Sequence, residues 1–391
     1  MEYEDILHRC FRCGYCKLPG NYVDINCPAY LSFRFETFSP GGRMWLLRAW
    51  LDNDITISDR FAQIMFSCAT CGNCVTHCAF PEFRDNILHA FTAGKEAILE
   101  TGKVPASVRD YLTRIQKYGN PYAKPSKNRA NWADGLNIEP YTDQEYLFFT
   151  GDVGAYDPRG QQIARSVANL LKKTGISFGI LTSDEVSDGN DVKAIGEIEL
   201  FKELAIKNIT TFNKQKIQKI ITLSPHSFNA FKKEYPELKK SLPSDMNVIF
   251  QVFHYTQILA FHMSTLSFSS DRQPVTVTVH DPCYLGRHNN DYVSIRMILN
   301  SIPGVTVAEM DRNQQNALCC GAGGGNFFTD ILSEGEERSS RVRVLEAEQT
   351  GAKILITACP LCTIMLEDAV KVEGLDNKLV VKEISDILHI F

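Results

Sequence analysis

Hydrophobic and polar positions follow two different patterns along this chain, and the change falls near residue 145. Before it, short stretches such as 43–51 have the apolar spacing of amphipathic helices. After it, continuous apolar runs alternate with helical periodicity, as at 161–173. The predicted buried strands are 146–149, 178–181, 217–222 and 247–252. This alternation predicts an α/β layered structure with a mainly parallel sheet.

The pattern then repeats. Residues 145–261 and 275–391 have the same length and the same order of predicted strands and helices. The motif 224–227, Ser-Pro-His-Ser, occupies the position that 359–362, Cys-Pro-Leu-Cys, occupies in the second half. The sequence therefore predicts a tandem duplication of a Rossmann-like α/β unit.

These patterns divide the chain into four parts. We expect an α-helical, ferredoxin-like domain at 1–100 and, after a connector, two α/β units at 145–261 and 262–391. The connector, 101–144, is rich in Pro, Asn, Lys and Tyr and has little periodicity, so we expect it to lie on the surface.

Composition narrows the classes of partner. The 391 residues carry a formal net charge of -5, so no basic excess is available to neutralise nucleic-acid phosphates. The sequence shows neither a signal peptide nor an apolar run near the ~20 residues that span a bilayer. We expect a cytoplasmic protein whose membrane contact, if any, comes through a partner.

The first eight of the thirteen cysteines form two groups with C-x-x-C-x-x-C spacing. Such runs hold three corners of a 4Fe-4S cubane, and in two-cluster ferredoxins the fourth cysteine of each run ligates the other cluster. Zinc is the alternative, but it more commonly uses two separated C-x-x-C pairs. The predicted cluster ligands are Cys10, Cys13, Cys16 and Cys78 for the first cubane, and Cys68, Cys71, Cys74 and Cys27 for the second.

The other five cysteines follow predicted strands or adjoin a glycine-rich loop. They are Cys283, Cys319, Cys320, Cys359 and Cys362. Carboxyl ends of parallel strands meet at one edge of a sheet, so we expect the five sulfurs to converge. Five thiolates exceed the four ligands of a tetrahedral zinc and indicate a cluster with several irons.

Two ferredoxin runs, a connector with Gly119-Asn-Pro121 and the segment 129–132, and a C-C pair followed by C-x-x-C together resemble the CCG-domain iron-sulfur proteins. These are typified by the D subunit of heterodisulfide reductase and by the fused C and B subunits of the soluble reductase. The resemblance covers nearly the whole chain. It implies that the five C-terminal cysteines hold a noncubane 4Fe-4S cluster, and that redox partners are flavin or haem subunits.

The first α/β unit departs from that family. Asp152, Val186, Ser187, Ser224 and Ser227 stand where its cysteines would be. Hydroxyl groups and a valine cannot replace soft thiolates around iron, so we expect one noncubane cluster.

The absence of cluster ligands from the first unit favours the interpretation that the chain is an electron-transfer subunit of an anaerobic, flavin-linked oxidoreductase complex. The enzyme alternative is a disulfide or thiol-substrate reductase that uses the noncubane cluster, with His254, His280 or His288 as candidate proton donors. A zinc-stabilised binding module is the third possibility.

Overall fold

The computed structural model describes residues 7–20, 24–268, 273–334 and 337–390. Its N-terminal part is helical and has no strand among the described residues before 146. The helices are α1 (Pro28–Phe33), α2 (Pro40–Leu51), α3 (Asp59–Phe66), α4 (Asn73–His77), α5 (Pro81–Arg84), α6 (Ile87–Thr101) and α7 (Ala106–Tyr118).

Local sequence explains how the helices beside the first cysteines begin. Ser39 caps α2 by accepting a hydrogen bond from the Gly42 amide at 3.0 Å, and Pro40 occupies the first turn, where its missing N–H is no loss. The fully buried Arg43 then ties α2 to the end of α3, since it donates to the Ile64 carbonyl at 2.9 Å and to Ser67 Oγ at 2.8 Å. These bonds fix the chain immediately before Cys68.

Helix α7 refines the expectation for the connector. Its residues Val108, Tyr111 and Ile115 are buried, and Trp132 further along is only 2% exposed. The low average hydrophobicity of the segment concealed three apolar residues at helical spacing. The connector therefore lies largely on the surface, as expected, but one face of α7 and Trp132 pack into the core.

Two four-stranded parallel sheets follow, and both have the same topology. The strand orders are β2-β1-β3-β4 and β6-β5-β7-β8. The strands are β1 (Tyr146–Phe149), β2 (Phe178–Gly179), β3 (Lys219–Thr222), β4 (Gln251–His254), β5 (Val275–Val279), β6 (Val305–Val307), β7 (Ile354–Thr357) and β8 (Val380–Glu383). The predicted duplication and α/β class are confirmed.

Helices flank both sheets. Those of the first unit are α8 (Gly151–Tyr156), α9 (Pro158–Lys173), α10 (Asn190–Ile195), α11 (Ile198–Lys214), α12 (Pro225–Asn229), α13 (Tyr235–Glu237) and α14 (Tyr255–Phe261). Those of the second unit are α15 (Ser294–Asn300), α16 (Asn326–Thr329), α17 (Ser339–Gln349), α18 (Pro360–Val372) and α19 (Ile384–Ile390). None of these or the earlier helices, within the described residues, combines the length and apolar character that a membrane crossing requires.

The fourth strand begins later than the apolar run at 247–252 indicated. Val248 is buried at 1% exposure, whereas pairing with β3 starts only at Gln251, opposite Lys219. Burial and ladder hydrogen bonds are separate properties, and hydrophobicity reports only the first.

Polar contacts join the two units. Arg159 in α9 pairs with Glu367 of α18 at 2.8 Å and with Asp386 of α19 at 2.6 Å. Tyr255 donates a hydrogen bond to the buried Glu383, whose pKa burial raises to about 8. These contacts hold the first unit against the second.

Gly160 is a point where the packing of α8 against α9 leaves no space. A Cβ added there would lie 2.1 Å from the Val153 carbonyl oxygen. We expect Gly160→Ala to cost about 1–3 kcal/mol, because overpacked sites must shift backbone. Thermal unfolding followed by circular dichroism will show a lower Tm for this variant. Lys173→Ala, at an exposed position of the same helix, is the control and should change stability by less than ~0.5 kcal/mol. Equal melting temperatures would contradict the packing argument.

Candidate metal centres

The first group of cysteines surrounds a small cavity beside the start of α2. Cys10, Cys13, Cys16 and Cys78 all line it, together with Pro40 and Gly41. Cys13 is exposed, and the other three are partly buried. The four residues predicted for one cluster are therefore neighbours, with Cys78 brought from the second run to the first.

The second group surrounds an adjacent cavity deeper in the protein. Its four cysteines are buried: Cys27, Cys68, Cys71 and Cys74. Asn73 joins the two runs, because its amide nitrogen donates to the Cys16 carbonyl at 3.0 Å and its oxygen accepts from Asn26 at 2.6 Å. The guanidinium of Arg43 faces Cys27, although burial still raises the pKa of that thiol to about 11.

The two cavities adjoin each other and share two lining residues, Pro40 and Cys16. Cys16 lines both, and it interacts electrostatically with Cys10 on one side and with Cys74 on the other. Burial, together with these neighbouring sulfurs, raises the pKa of Cys16.

The five C-terminal cysteines converge at the carboxyl edge of the second sheet. Cys319 Sγ lies 3.8 Å from Cys283 Sγ, and Cys320 Sγ lies 3.3 Å from Cys362 Sγ. Cys359 is the N-cap of α18, immediately after β7. All five side chains are buried and all are free thiols; we call this group the five-cysteine site.

The five-cysteine site favours thiolate at some sulfurs and thiol at others. Burial raises the pKa of Cys359, but hydrogen bonds from Cys362 and His226 outweigh it and lower the pKa to about 6. Cys319 and Cys362 have raised pKa values, first of all because each is hydrogen-bonded to another cysteine of the group. The backbone also stabilises sulfur in the thiolate form, since the Gly321 amide donates a hydrogen bond to Cys319 Sγ at 3.3 Å. Such crowded, partly ionised sulfurs fit a soft metal cluster better than a set of separate thiols.

The five-cysteine site touches the second cavity. The Cys71 and Cys319 thiols are within hydrogen-bonding contact, which is the largest cause of the raised pKa of Cys71. Arg287 lies at this junction: its Nε donates to the Cys71 carbonyl at 2.7 Å, and its charge acts on Cys283 and Cys319. The sequence did not indicate the role of Arg287, because this residue lies 216 positions from Cys71 along the chain.

Polar side chains line a small cavity in the first unit. Asp152, Ser187, Ser224 and Ser227 line one small cavity, which also includes Pro360 and Leu361 of the second unit. These four are the described positions that correspond to lost cysteines and now lie together. Val186 instead packs next to Gly119.

A buried ion-pair network stabilises that cavity. Arg129, 2% exposed, pairs with Asp152 at 2.9 Å and with Glu185 at 3.0 Å. Glu185 also accepts from the Thr150 and Gly151 amides, which fixes the turn after β1. Neither Arg129 nor Glu185 was predicted, because one isolated charge in a sequence carries no sign of burial.

The three candidate histidines have different surroundings. His280 belongs to the five-cysteine site, where a ring nitrogen lies within 4.8 Å of Cys320 and Cys362 Sγ. His288 stacks on Tyr284 with ring centroids 4.2 Å apart and contacts the Thr70 carbonyl at 2.8 Å. His254 is bonded to Thr256 Oγ1 at 2.7 Å and has no cysteine among its described contacts.

Comparisons with known proteins identify iron-sulfur domains in both parts of the chain. The Cysteine-rich domain (CCG) family profile matches residues 146–232 and 277–367, and the 4Fe-4S dicluster domain profile matches 6–80. The D subunit of the dihydromethanophenazine:CoB–CoM heterodisulfide reductase of Methanosarcina barkeri is 31% identical over 341 residues, which is 84% of this chain and 78% of that protein. The chain belongs to the family of heterodisulfide reductase D subunits.

Other relatives of the chain are oxidoreductases. A probable iron-sulfur-binding oxidoreductase of Bacillus subtilis is 34% identical over 83% of the chain, and the EtfAB:quinone oxidoreductase of Syntrophomonas wolfei is 28% identical over 84%. The chain covers 46% of each, so it spans about half the length of these relatives.

A solved structure shares the fold. The crystal structure of a hypothetical protein from Helicobacter pylori superposes with a TM-score of 0.54 at 13% identity, covering 90% of this chain and 67% of that one. At this identity the likeness concerns the fold alone.

We expect the ion pairs of Arg129 to contribute to the stability of the folded protein. Arg129→Met leaves Asp152 and Glu185 buried without a cation, at a cost of about 3–5 kcal/mol. Burial already raises the pKa of both carboxyls, and Arg129 is the main influence that lowers them. Without it the folded protein binds more protons than the unfolded chain, so the stability of the variant falls as pH rises. We expect the loss in Tm to be larger at pH 8 than at pH 6.

The control is Lys127→Met, which removes an exposed charge two residues away. Thermal unfolding of both variants at the two pH values measures the effect. Identical melting curves for the two variants would show that the network contributes nothing to stability.

Proposed function

We propose that this chain is the iron-sulfur electron-transfer subunit of a multi-subunit, flavin-linked oxidoreductase complex. Two cubane 4Fe-4S clusters and one noncubane 4Fe-4S cluster are the proposed cofactors. The proposed ligands are Cys10, Cys13, Cys16 and Cys78; Cys68, Cys71, Cys74 and Cys27; and Cys283, Cys319, Cys320, Cys359 and Cys362. Clusters bound there would supply one-electron transfer.

The observation that carries the proposal is a continuous row of cysteines from the surface to the interior. It begins at the exposed Cys13, continues through Cys16 between the two cavities, and reaches the five-cysteine site where Cys71 meets Cys319. Short distances between successive groups are what a relay requires.

Burial favours the relay over direct catalysis. In the five-cysteine site every sulfur belongs to a buried residue, with exposures from 1% for Cys359 to 7% for Cys283. A bulky disulfide would have to reach residues that are at most 7% exposed. We therefore propose that the N-terminal part, 1–100, which carries the first eight cysteines, contacts the electron donor.

The names of the relatives support a partner-dependent role. The relatives include reductase subunits and an EtfAB:quinone oxidoreductase, whose name pairs EtfAB with a quinone. Another relative, from Chromohalobacter salexigens, is named a probable membrane-anchored ferredoxin. We propose a flavoprotein as the electron donor and a membrane-associated partner as the acceptor.

Metal analysis tests the cofactor assignment. Anaerobically purified protein should be brown and contain about twelve irons per chain, the sum of three four-iron clusters. Cys359→Ser should remove about four of these irons, whereas Ser224→Ala, at the corresponding position of the first unit, should retain the full complement. A colourless protein that contains zinc instead of iron would support the zinc-stabilised module and contradict the proposal.

Reoxidation kinetics distinguish relay from reductase. Chemically reduced protein should be reoxidised rapidly by a one-electron dye, but not at a catalytic rate by the CoB–CoM heterodisulfide, because the five sulfurs are enclosed. Recovery of visible absorbance in a stopped-flow instrument measures both reactions. Fast reoxidation by the disulfide that disappears in Cys359→Ser would establish the enzyme alternative.

A further inference from the structure

The tautomer of His280 is fixed by a buried arginine. Arg343 is fully buried and donates from Nε to His280 Nδ1 at 3.2 Å. It is held in place by bonds to the Arg312 carbonyl at 2.7 Å and to Glu346 at 3.0 Å. Since an arginine can only donate, Nδ1 accepts, and the neutral imidazole carries its proton on Nε2.

That proton has no conventional partner. His280 Nε2 is buried and has no hydrogen-bond partner among the described residues. The ring nevertheless lies beside two sulfurs of the five-cysteine site, Cys320 and Cys362. An unpaired buried N–H is costly, and a thiolate is the acceptor available to it.

The first unit supplies a second imidazole in the same situation. His226 is 7% exposed, its Nδ1 lies 3.4 Å from the Ser224 hydroxyl, and its Nε2 is likewise buried without a hydrogen-bond partner among the described residues. The ring packs on Tyr284 at 4.2 Å and lines one small cavity with Pro360 and Leu361, which directly follow Cys359.

We propose that His280 and His226 are positioning residues that donate Nε2–H hydrogen bonds to Cys320 and Cys359, respectively, and thereby set the reduction potential of the centre. The first unit then contributes to the metal site of the second although it has none of the five cysteines. This inference rests on the proposed function, because it requires a cluster at the five-cysteine site. Donors to ligating sulfurs withdraw negative charge and stabilise the reduced state.

Potentiometric titration followed by electron paramagnetic resonance tests the proposal. His280→Phe and His226→Phe should each shift the reduction equilibrium at least tenfold toward the oxidised state, which is ~59 mV for a one-electron couple. His280→Gln and His226→Gln, which keep an N–H near the Nε2 position, should recover part of the shift. The control, His254→Phe, removes an equally buried ring that contacts Thr256 instead of a cysteine and should leave the potential unchanged.

Potentials that match the control in both Phe variants, at full iron content, would overturn the inference. If a variant fails to bind iron, the wild-type protein labelled with 15N-histidine gives the answer, since electron-nuclear double resonance should detect two histidine nitrogens coupled to the reduced centre. Absence of that coupling would also overturn it. Iron missing from the wild-type protein would instead contradict the proposed function, so the two failures are distinguishable.

Discussion

The structure depends on holding many sulfur atoms close together out of water. Nine of the thirteen cysteines are buried, and burial raises the pKa of thiols in the second cavity such as Cys27 and Cys74. Ligation requires the opposite, deprotonated sulfur, so the free energy of metal binding must be coupled to folding. Buried cations favour the deprotonated form of these sulfurs. Arg43 lies beside Cys27, and Arg287 lies between Cys71 and Cys319.

The two duplicated units place different side chains at the same edge of the same type of sheet. In both, a parallel sheet brings polar or sulfur-bearing residues to its carboxyl edge. The second unit gathers five cysteines there, while the first gathers Asp152 and three serines around the Arg129 ion pairs. A buried ion pair is rarely better than apolar packing, but it is strongly destabilising to break. The ion pairs thus fix the carboxyl edge of the first unit, where the cavity also includes Pro360 and Leu361 of the second.

The sequence alone supported the fold class, the duplication and the neighbourhood of each cysteine, because these follow from spacing and from strand ends. It did not reveal α7, whose apolar residues Val108, Tyr111 and Ile115 are diluted by charged neighbours. It also did not reveal Arg287, Arg343 or the orientation of His226, since each acts on residues remote in the chain. His226 was visible only as the central part of a Ser-Pro-His-Ser motif, and nothing local shows that it faces a cysteine of the other unit.

The two ends of the cysteine row differ in their exposure to water. At the exposed end, Cys13 lies beside water, where charge is solvated and a partner protein can approach. At the buried end, solvation must come from fixed dipoles and cations, which do not reorganise as water does. The imidazoles of His280 and His226 are such fixed groups, one from each unit. The position of the first unit against the second, held by Arg159 with Glu367 and Asp386, is therefore part of the electrostatic environment of the five-cysteine site.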